Sequence, residues 1–468
     1  MDSDAPSPEK PRKRRWLRRV LVAALVLVAV GVLLYVLWSL RTRYGLEAEI
    51  ARLRAAGEPV TLEELWPPEI EPESENAALL YQQADNLFKK NGFEAFEKSV
   101  GTDVSWDDPG SWSEETVATV RQMVEQCDEA LALVRRAAHM DRCRFDPKWG
   151  WPATTPIYHY AMLRQAARAL YWSAALKLHD GDADGALEEA RDAFLTSRAV
   201  ATERTLIGLL VQLAIIQTGL GEAQSVLAES TPRPELLRSF LADAEQTRAA
   251  LRQHLVDAFK GERVAALASM AELLDAVDLL PAASRRAAPP PPRASLAWLG
   301  RPVIGGMVMG YLDTVTRAIE FGRANWVEAQ PSMDTLQSDA ARWRTHYLRN
   351  RSRVLAALAV PAWVSAKKAE TRAEAALAVA EVAMALKLYQ GEHGEYPESL
   401  DALSGAFLPV VPTDPFTDKP LVYVRRDGGF LVYSVGPNGK DDAGVTENWK
   451  DGQKVDAGTD DVAWRCSQ

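Results

Sequence analysis

The sequence predicts a mainly α-helical protein. It has a single N-terminal transmembrane helix, an α-helical extracytoplasmic region, and a small C-terminal α+β module built from a long helix and a short antiparallel sheet. Three observations predict this. Val20 to Leu40 is 21 residues without a charge. From Pro156 to about Phe259 the chain reads as helix after helix, with apolar stripes such as Tyr160, Leu163, Ala167, Leu170 and Ala174. After Pro412 a Pro/Asp turn leads into two short β-rich runs.

The first nineteen residues form a basic tail with seven Lys/Arg against three acids. Val20–Leu40 then suffices to cross a hydrocarbon layer of about 30 Å as one helix. Trp16 and Trp38 stand where interfacial aromatics belong, with Tyr35 slightly deeper. The positive-inside bias places the N-terminus in the cytoplasm. The expected location is therefore the inner (cytoplasmic) membrane, single-pass, with the bulk extracytoplasmic or periplasmic. A cleaved signal peptide is the competing reading, but the run is long for one and no small-x-small site comes after it. The span has no ionisable residue to relay protons or bind a substrate, so its role is to tether the rest of the chain.

Residues 41–75 continue as a helix to Gly57-Glu58-Pro59, then as a connector broken by Pro67, Pro68 and Pro72. Residues 76–285 form a helical array. It opens near Asn76 and includes a helix from about Glu115 to Met140 capped by Ser113. Leu206–Ile216 is apolar nearly all round, which predicts burial; at 11 residues it is too short for a second span. Residues 286–295, with Pro289 to Pro292, read as a stiff polyproline linker. Within the helical segment 296–360, "LGRPVIGGMVMGYL" reads as close helix packing through small residues or as a lipid- or substrate-facing patch. "RWRTHYLRNRSR", Arg342 to Arg353, reads as a basic helix that pairs with the acidic body or meets anionic lipid.

Composition narrows the function. Of 468 residues, 47% are hydrophobic and 25% charged, which predicts two to three domains with ordinary cores. Net charge is −10, and the basic tail leaves the rest of the chain at −14. An acidic body lacks the basic face that neutralises phosphates, so nucleic acid is not expected as a partner, while a cation is permitted. Cys127, Cys143 and Cys466 show no metal-ligand spacing. Cys127 and Cys143 could form a disulfide only if the chain doubles back, because on one straight helix they would lie about 24 Å apart; otherwise they are small, partly buried thiols. The six histidines form no HExxH pair, and no GxSxG, SxxK or kinase pattern occurs. His393 in "EHGEY" fits a helix C-cap. No enzymatic activity is expected.

Two stretches resemble known families. "ALKLHDGDADGALEEA" is similar to a tetratricopeptide-type helical repeat hairpin, over about 35 residues and without a recurring 34-residue period. In residues 361–468, the long helix carrying Tyr389 is followed by Gly394-Glu395-Tyr396-Pro397, Asp414-Pro415, Pro420, Tyr423, Ser434-Val435-Gly436-Pro437-Asn438-Gly439 and Asp460-Asp461-Val462. This order resembles the periplasmic domain of the type II secretion system protein G, the major pseudopilin. The residues themselves read as structural turns at Tyr396-Pro397 and at Asp414-Pro415, where Pro415 fixes φ and Asp414 can bond neighbouring amides. The resemblance implies calcium in the last loop, on Ser434, Asn438, Asp460 and Asp461, with Asp441 and Asp442 as nearby candidate oxygens; a solvated Asp/Gly turn is the alternative. Asn438 stands where the family has Asp. The anchor has no Gly before Val20 and no Glu within the span, so the chain is not expected to be processed or polymerised like a pilus subunit. The expected function is a membrane-anchored, non-enzymatic envelope scaffold or protein-interaction module. The alternatives are a component of a type II secretion or pseudopilus-like machine joining through its C-terminal module, and an extracytoplasmic enzyme. The expected partners are the membrane, through residues 20–40, and proteins whose identity the sequence does not give, with secretion-system or envelope proteins as the candidates.

Overall fold

A computed structural model describes residues 12–65, 69–100, 109–145, 158–273, 297–426, 428–446, 449–450, 453–454 and 460–466. The Pro289–Pro292 linker, most of the loop that opens at Gly101, Pro67–Pro68 and Asp427 lie outside them. The described chain is mainly helical, with an apolar N-terminal helix and a small antiparallel sheet near the C-terminus.

Helix α1 runs unbroken from Arg12 to Ala55. Its apolar window is not buried by the rest of the protein, and it is long and apolar enough to span a membrane. One face then turns inward. Tyr35, Ser39 and Thr42 are half-buried and Leu46, Ile50 and Leu53 are buried. Their spacing of three and four residues makes one stripe. The stripe packs on α12 (Ala297–Arg323) through Val308 and Leu312, with Leu267 of α11 (Pro234–Leu273) alongside. Gly305 sits against Thr42, and Gly45 against Met309. The glycine-rich stretch therefore serves close packing here. α1 ends at Gly57, whose φ of +69° suits glycine. The next residue, Glu58, is held by Lys260 at 3.2 Å, Arg263 at 3.0 Å and Arg323 at 3.6 Å.

After the short α2 (Leu62–Leu65), helices α3 (Ala77–Lys90), α4 (Phe93–Val100), α5 (Glu114–Gln126), α6 (Asp128–Ala138) and α7 (Tyr158–His179) share one core. Phe88, Phe93, Phe96 and Trp172 form its aromatic centre. Ser113 caps α5 as expected, accepting the Thr116 amide at 3.1 Å. The single helix expected from 115 to 140 is instead two. The chain bends at Cys127, where the Asn91 side chain donates to the Gln126 carbonyl at 2.6 Å.

α7 turns at Gly181, φ +82°, into α8 (Ala183–Leu195), capped by Asp182. The four-residue α9 (Arg198–Ala201) leads to α10 (Leu206–Glu229). The apolar stretch from Leu206 thus belongs to a 24-residue helix, which is long enough to cross a membrane. Yet 61% of its apolar window is buried inside the fold, so it reads as a core helix. α13 (Trp326–Thr345) comes after α12. The basic stretch Arg342–Arg353 is not one helix: α13 stops at Thr345, residues 346–350 turn, and a 3₁₀ turn Arg351–Arg353 opens α14 (Val354–His393). α14 passes through Gly391 and ends at Gly394, φ +81°.

Strands β1 (Val422–Arg426), β2 (Gly429–Ser434) and β3 (Val462–Cys466) form an antiparallel sheet in that order. Tyr423 pairs with Val432, and Val432 with Trp464. A separate two-residue ladder joins Trp449–Lys450 to Gln453–Lys454. The sheet packs on α14 and α10 within the same core as α8 and α11–α13, and the Cys466 thiol donates to the Leu227 carbonyl at 3.1 Å. All three cysteines are free and buried.

Candidate functional site

The C-terminal loops gather most of the residues that the sequence singles out. Asp414 is their hinge. Pro415 fixes the turn, and the Phe416 amide donates to Asp414 Oδ1 at 2.9 Å, an Asx turn. The backbone closes it, Asp414 N to the Lys419 carbonyl at 2.7 Å and Asp418 N to the Asp414 carbonyl at 2.8 Å. The carboxylate also reaches the end of β2, accepting the Ser434 hydroxyl at 2.8 Å and the Val435 amide at 2.9 Å. Gly436 comes next at φ +68°, and any side chain there would overlap the Asp460 carbonyl.

Tyr396 and Pro397 meet the same sheet. Tyr396 packs edge-on against Phe430 at 5.1 Å, and the Tyr423 hydroxyl donates to the Pro397 carbonyl at 2.9 Å. Burial pushes the Tyr423 phenol up to about 12.

The candidate calcium residues separate into two groups. Asn438, Asp441, Asp442 and Asp461 line one loop. Asp441 accepts the Tyr433 hydroxyl at 2.8 Å and the Ala443 amide at 2.9 Å, which hold its carboxyl below the usual carboxylate range. Asp442 accepts from Asn438 Nδ2 at 2.8 Å and from the Asp460 amide at 3.1 Å. Asp461 is fully buried and accepts the Gly444 amide at 2.7 Å and the Asp442 amide at 3.2 Å. Burial pushes Asp461 up, and the Asp442 and Asp441 carboxylates add to that, against those two hydrogen bonds. The other two residues point elsewhere. Ser434 is engaged by Asp414, and Asp460 pairs with Arg372 and Lys368 of α14. Among the described residues, no group of three or more His, Cys, Asp or Glu side chains is arranged to hold a metal ion.

Sequence reasoning missed a line of ion pairs at the α11–α14 contact, two between the helices and partly buried, and one within α14 and fully buried. Arg248 Nε lies 2.7 Å from Glu381, Arg252 lies 3.1 Å from Glu374, and the fully buried Lys367 and Glu370 lie 3.0 Å apart. Arg248 and Arg252 are one turn apart, as are Glu370 and Glu374. On an Ala-rich helix that spacing reads equally well as a solvated face. A second buried carboxylate, Glu189, accepts from Arg135 and Lys177, both at 2.7 Å, and from Ser173 at 3.0 Å.

A cleft of about 590 Å³ opens between the Gly181–Asp184 turn, the Thr231–Pro234 turn and the end of α14. Its charges are largely satisfied within the protein: Arg233 pairs with Asp184 at 2.6 Å, and Lys387 donates to the Ser230 carbonyl at 3.4 Å.

No protein-family model matches the chain, and neither a curated protein nor a solved structure is detectably similar to it.

Proposed function

We propose that this protein is a membrane-anchored envelope scaffold that works by holding a helical body at the surface of the inner membrane for contact with other proteins, rather than by catalysis. The observation that carries the reading is α1. Its apolar half is bare, while its last turns are built into the core of the body through Leu46, Ile50 and Leu53. A helix shaped this way anchors and orients at once. The charge bias of the flanks supports an N-terminus in the cytoplasm and a body outside. Alkaline carbonate extraction and protease treatment of intact and lysed spheroplasts test this. Carbonate-resistant retention, with the body accessible from the outer face, supports the reading; release by carbonate overturns it.

The second reading, attachment to a type II secretion or pseudopilus-like machine, is favoured by the convergence of Tyr396, Pro397 and Tyr423 and of Asp414 and Ser434 in one small sheet. Crosslinking in membranes to secretion components supports this reading, and partners drawn only from other envelope proteins count against it.

A further inference from the structure

The corner between α13 and α14 lies at the membrane end of the body. α1 and α12 run side by side in the same direction, since Thr42 meets Gly305 and Gly45 meets Met309. α13 runs back antiparallel to α12, with Asp339 on Arg317 at 3.2 Å and Trp343 and Asp313 sharing Arg353, at 4.9 Å from the ring centroid and 2.8 Å respectively. α13 therefore descends towards the bilayer, and its exit turn is at the bottom. The 3₁₀ turn confirms the level, because Gly306 and Gly310 of α12 both lie against Ser352. Gly306 is level with the α1 residues just past Thr42. Counted along α1 at about 1.5 Å per residue, the corner is within about 10 Å of Leu40, where the apolar run ends. That is close to the depth of one headgroup layer, roughly 5–8 Å. Tyr35 and Ser39 are half-buried, so contact along α1 continues below this level.

The corner's side chains suit that position. Tyr347 is 58% and Leu348 62% exposed. Arg344, Arg349 and Arg351 are exposed and make no ion pair with another described residue. Two acids of the adjoining helices are already engaged, Asp313 by Arg353 and Asp339 by Arg317 and Arg342. The flank of α1 adds Arg41, also exposed. Unpaired guanidinium groups around an exposed Tyr-Leu pair complement an anionic lipid surface: the arginines meet phosphates and the two side chains enter the interface.

We propose that residues 344–351 are a second membrane contact, which docks the body onto anionic phospholipid headgroups of the bilayer that α1 spans. This rests on the reading of α1 as a membrane anchor. With its span and this corner both engaged, the body has two points of support on the bilayer.

The test uses the full chain in nanodiscs of phosphatidylcholine, with and without phosphatidylglycerol. The native cysteines are buried, so an environment-sensitive fluorophore on Leu348→Cys reports the corner, and one on Val30→Cys reports the span. The expected result is a blue-shifted Leu348→Cys probe, quenched several-fold more by headgroup-labelled lipid in phosphatidylglycerol discs than in neutral ones. Raised salt and the triple variant Arg344→Glu/Arg349→Glu/Arg351→Glu should both reverse it. A corner probe that stays in water in both discs, while the Val30→Cys probe is embedded, overturns this proposal and leaves the anchor standing. Equal embedding in both lipids, unaffected by charge reversal, overturns anionic recognition. A Val30→Cys probe in water overturns the anchor reading, and this proposal with it.

Discussion

Asp414 and Ser434, twenty residues apart, are joined side chain to side chain at 2.8 Å, and both are buried. One carboxylate thus ties the Pro/Asp turn to the end of the central strand. Replacing Asp414 with Ala leaves the Ser434 hydroxyl and the Phe416 and Val435 amides without their acceptor. The expected loss is about 3 kcal/mol, since buried donors left unsatisfied each cost about 1–3 kcal/mol. Asp414→Asn should lose less. Thermal melts of the full chain in detergent measure both; equal melting temperatures for wild type and Asp414→Ala would refute the role.

Gly436 is the second fixed point of the same loop. Its φ of +68° is costly for other residues, and a Cβ would collide with the Asp460 carbonyl. Gly436→Ala should therefore displace the loop, lowering stability by about 2 kcal/mol or more. Limited proteolysis should show faster cleavage between residues 437 and 446.

Glu381 makes stability depend on pH. Burial pushes its carboxyl up to about 7 despite the neighbouring Arg248. A carboxyl that titrates higher in the folded state than in the unfolded one holds its proton longest when folded. Its contribution is complete below about 4.5, falls as pH rises towards 7, and is flat beyond. Asp192, pushed up to about 6 mainly by burial, acts in the same direction. The stability difference between wild type and Glu381→Gln should therefore shift in the variant's favour as pH rises from 4.5 to 7. Denaturation across that range reads the slope, and a pH-independent difference would count against it.

Glu189 is 1% exposed and collects Arg135, Lys177 and Ser173. Glu189→Ala removes the α8 acceptor shared by Arg135 of α6 and Lys177 of α7. Both cations keep about a third of their side chains in water, so the expected cost is about 1–3 kcal/mol, read as a lower melting temperature of the full chain; an unchanged melt would refute the role. Lys177→Met, which leaves Arg135 in place, should cost much less.

If the C-terminal loop binds calcium as its pseudopilin resemblance implies, the like charges of Asp441, Asp442 and Asp461 are relieved by the ion. Millimolar calcium should then raise the melting temperature of the full chain over chelator, and Asp442→Asn should abolish the rise. Identical melts with and without calcium would remove the metal reading.

The legible parts of the sequence were those governed by local rules. Twenty-one uncharged residues name the apolar helix, Ser113 and Asn76 name helix starts, and Asp414-Pro415 names a turn. What stayed hidden depends on distant partners. The break at Cys127 involves Asn91, 35 residues before Gln126. β3 is five residues that become a strand by pairing with β2, and nothing in "VAWRC" signals it alone. Asp414's second task, holding Ser434, is invisible in a motif that reads as a turn. Arg342 to Arg353 looks like one basic helix because its charges recur at helical spacing, yet the chain folds back at 346–350. The buried Lys367–Glu370 pair reads as surface charge until α11 is laid against it.

α1 carries no glycine or proline between Leu40 and Gly57 apart from Gly45, which is packed against Met309. The stalk therefore has no swivel. If α1 spans a bilayer as proposed, any tilt imposed on it is passed to the body as a lever passes a stroke. On that reading local bilayer thickness becomes an input: a thinner membrane would lean the helix, and the body would lean with it.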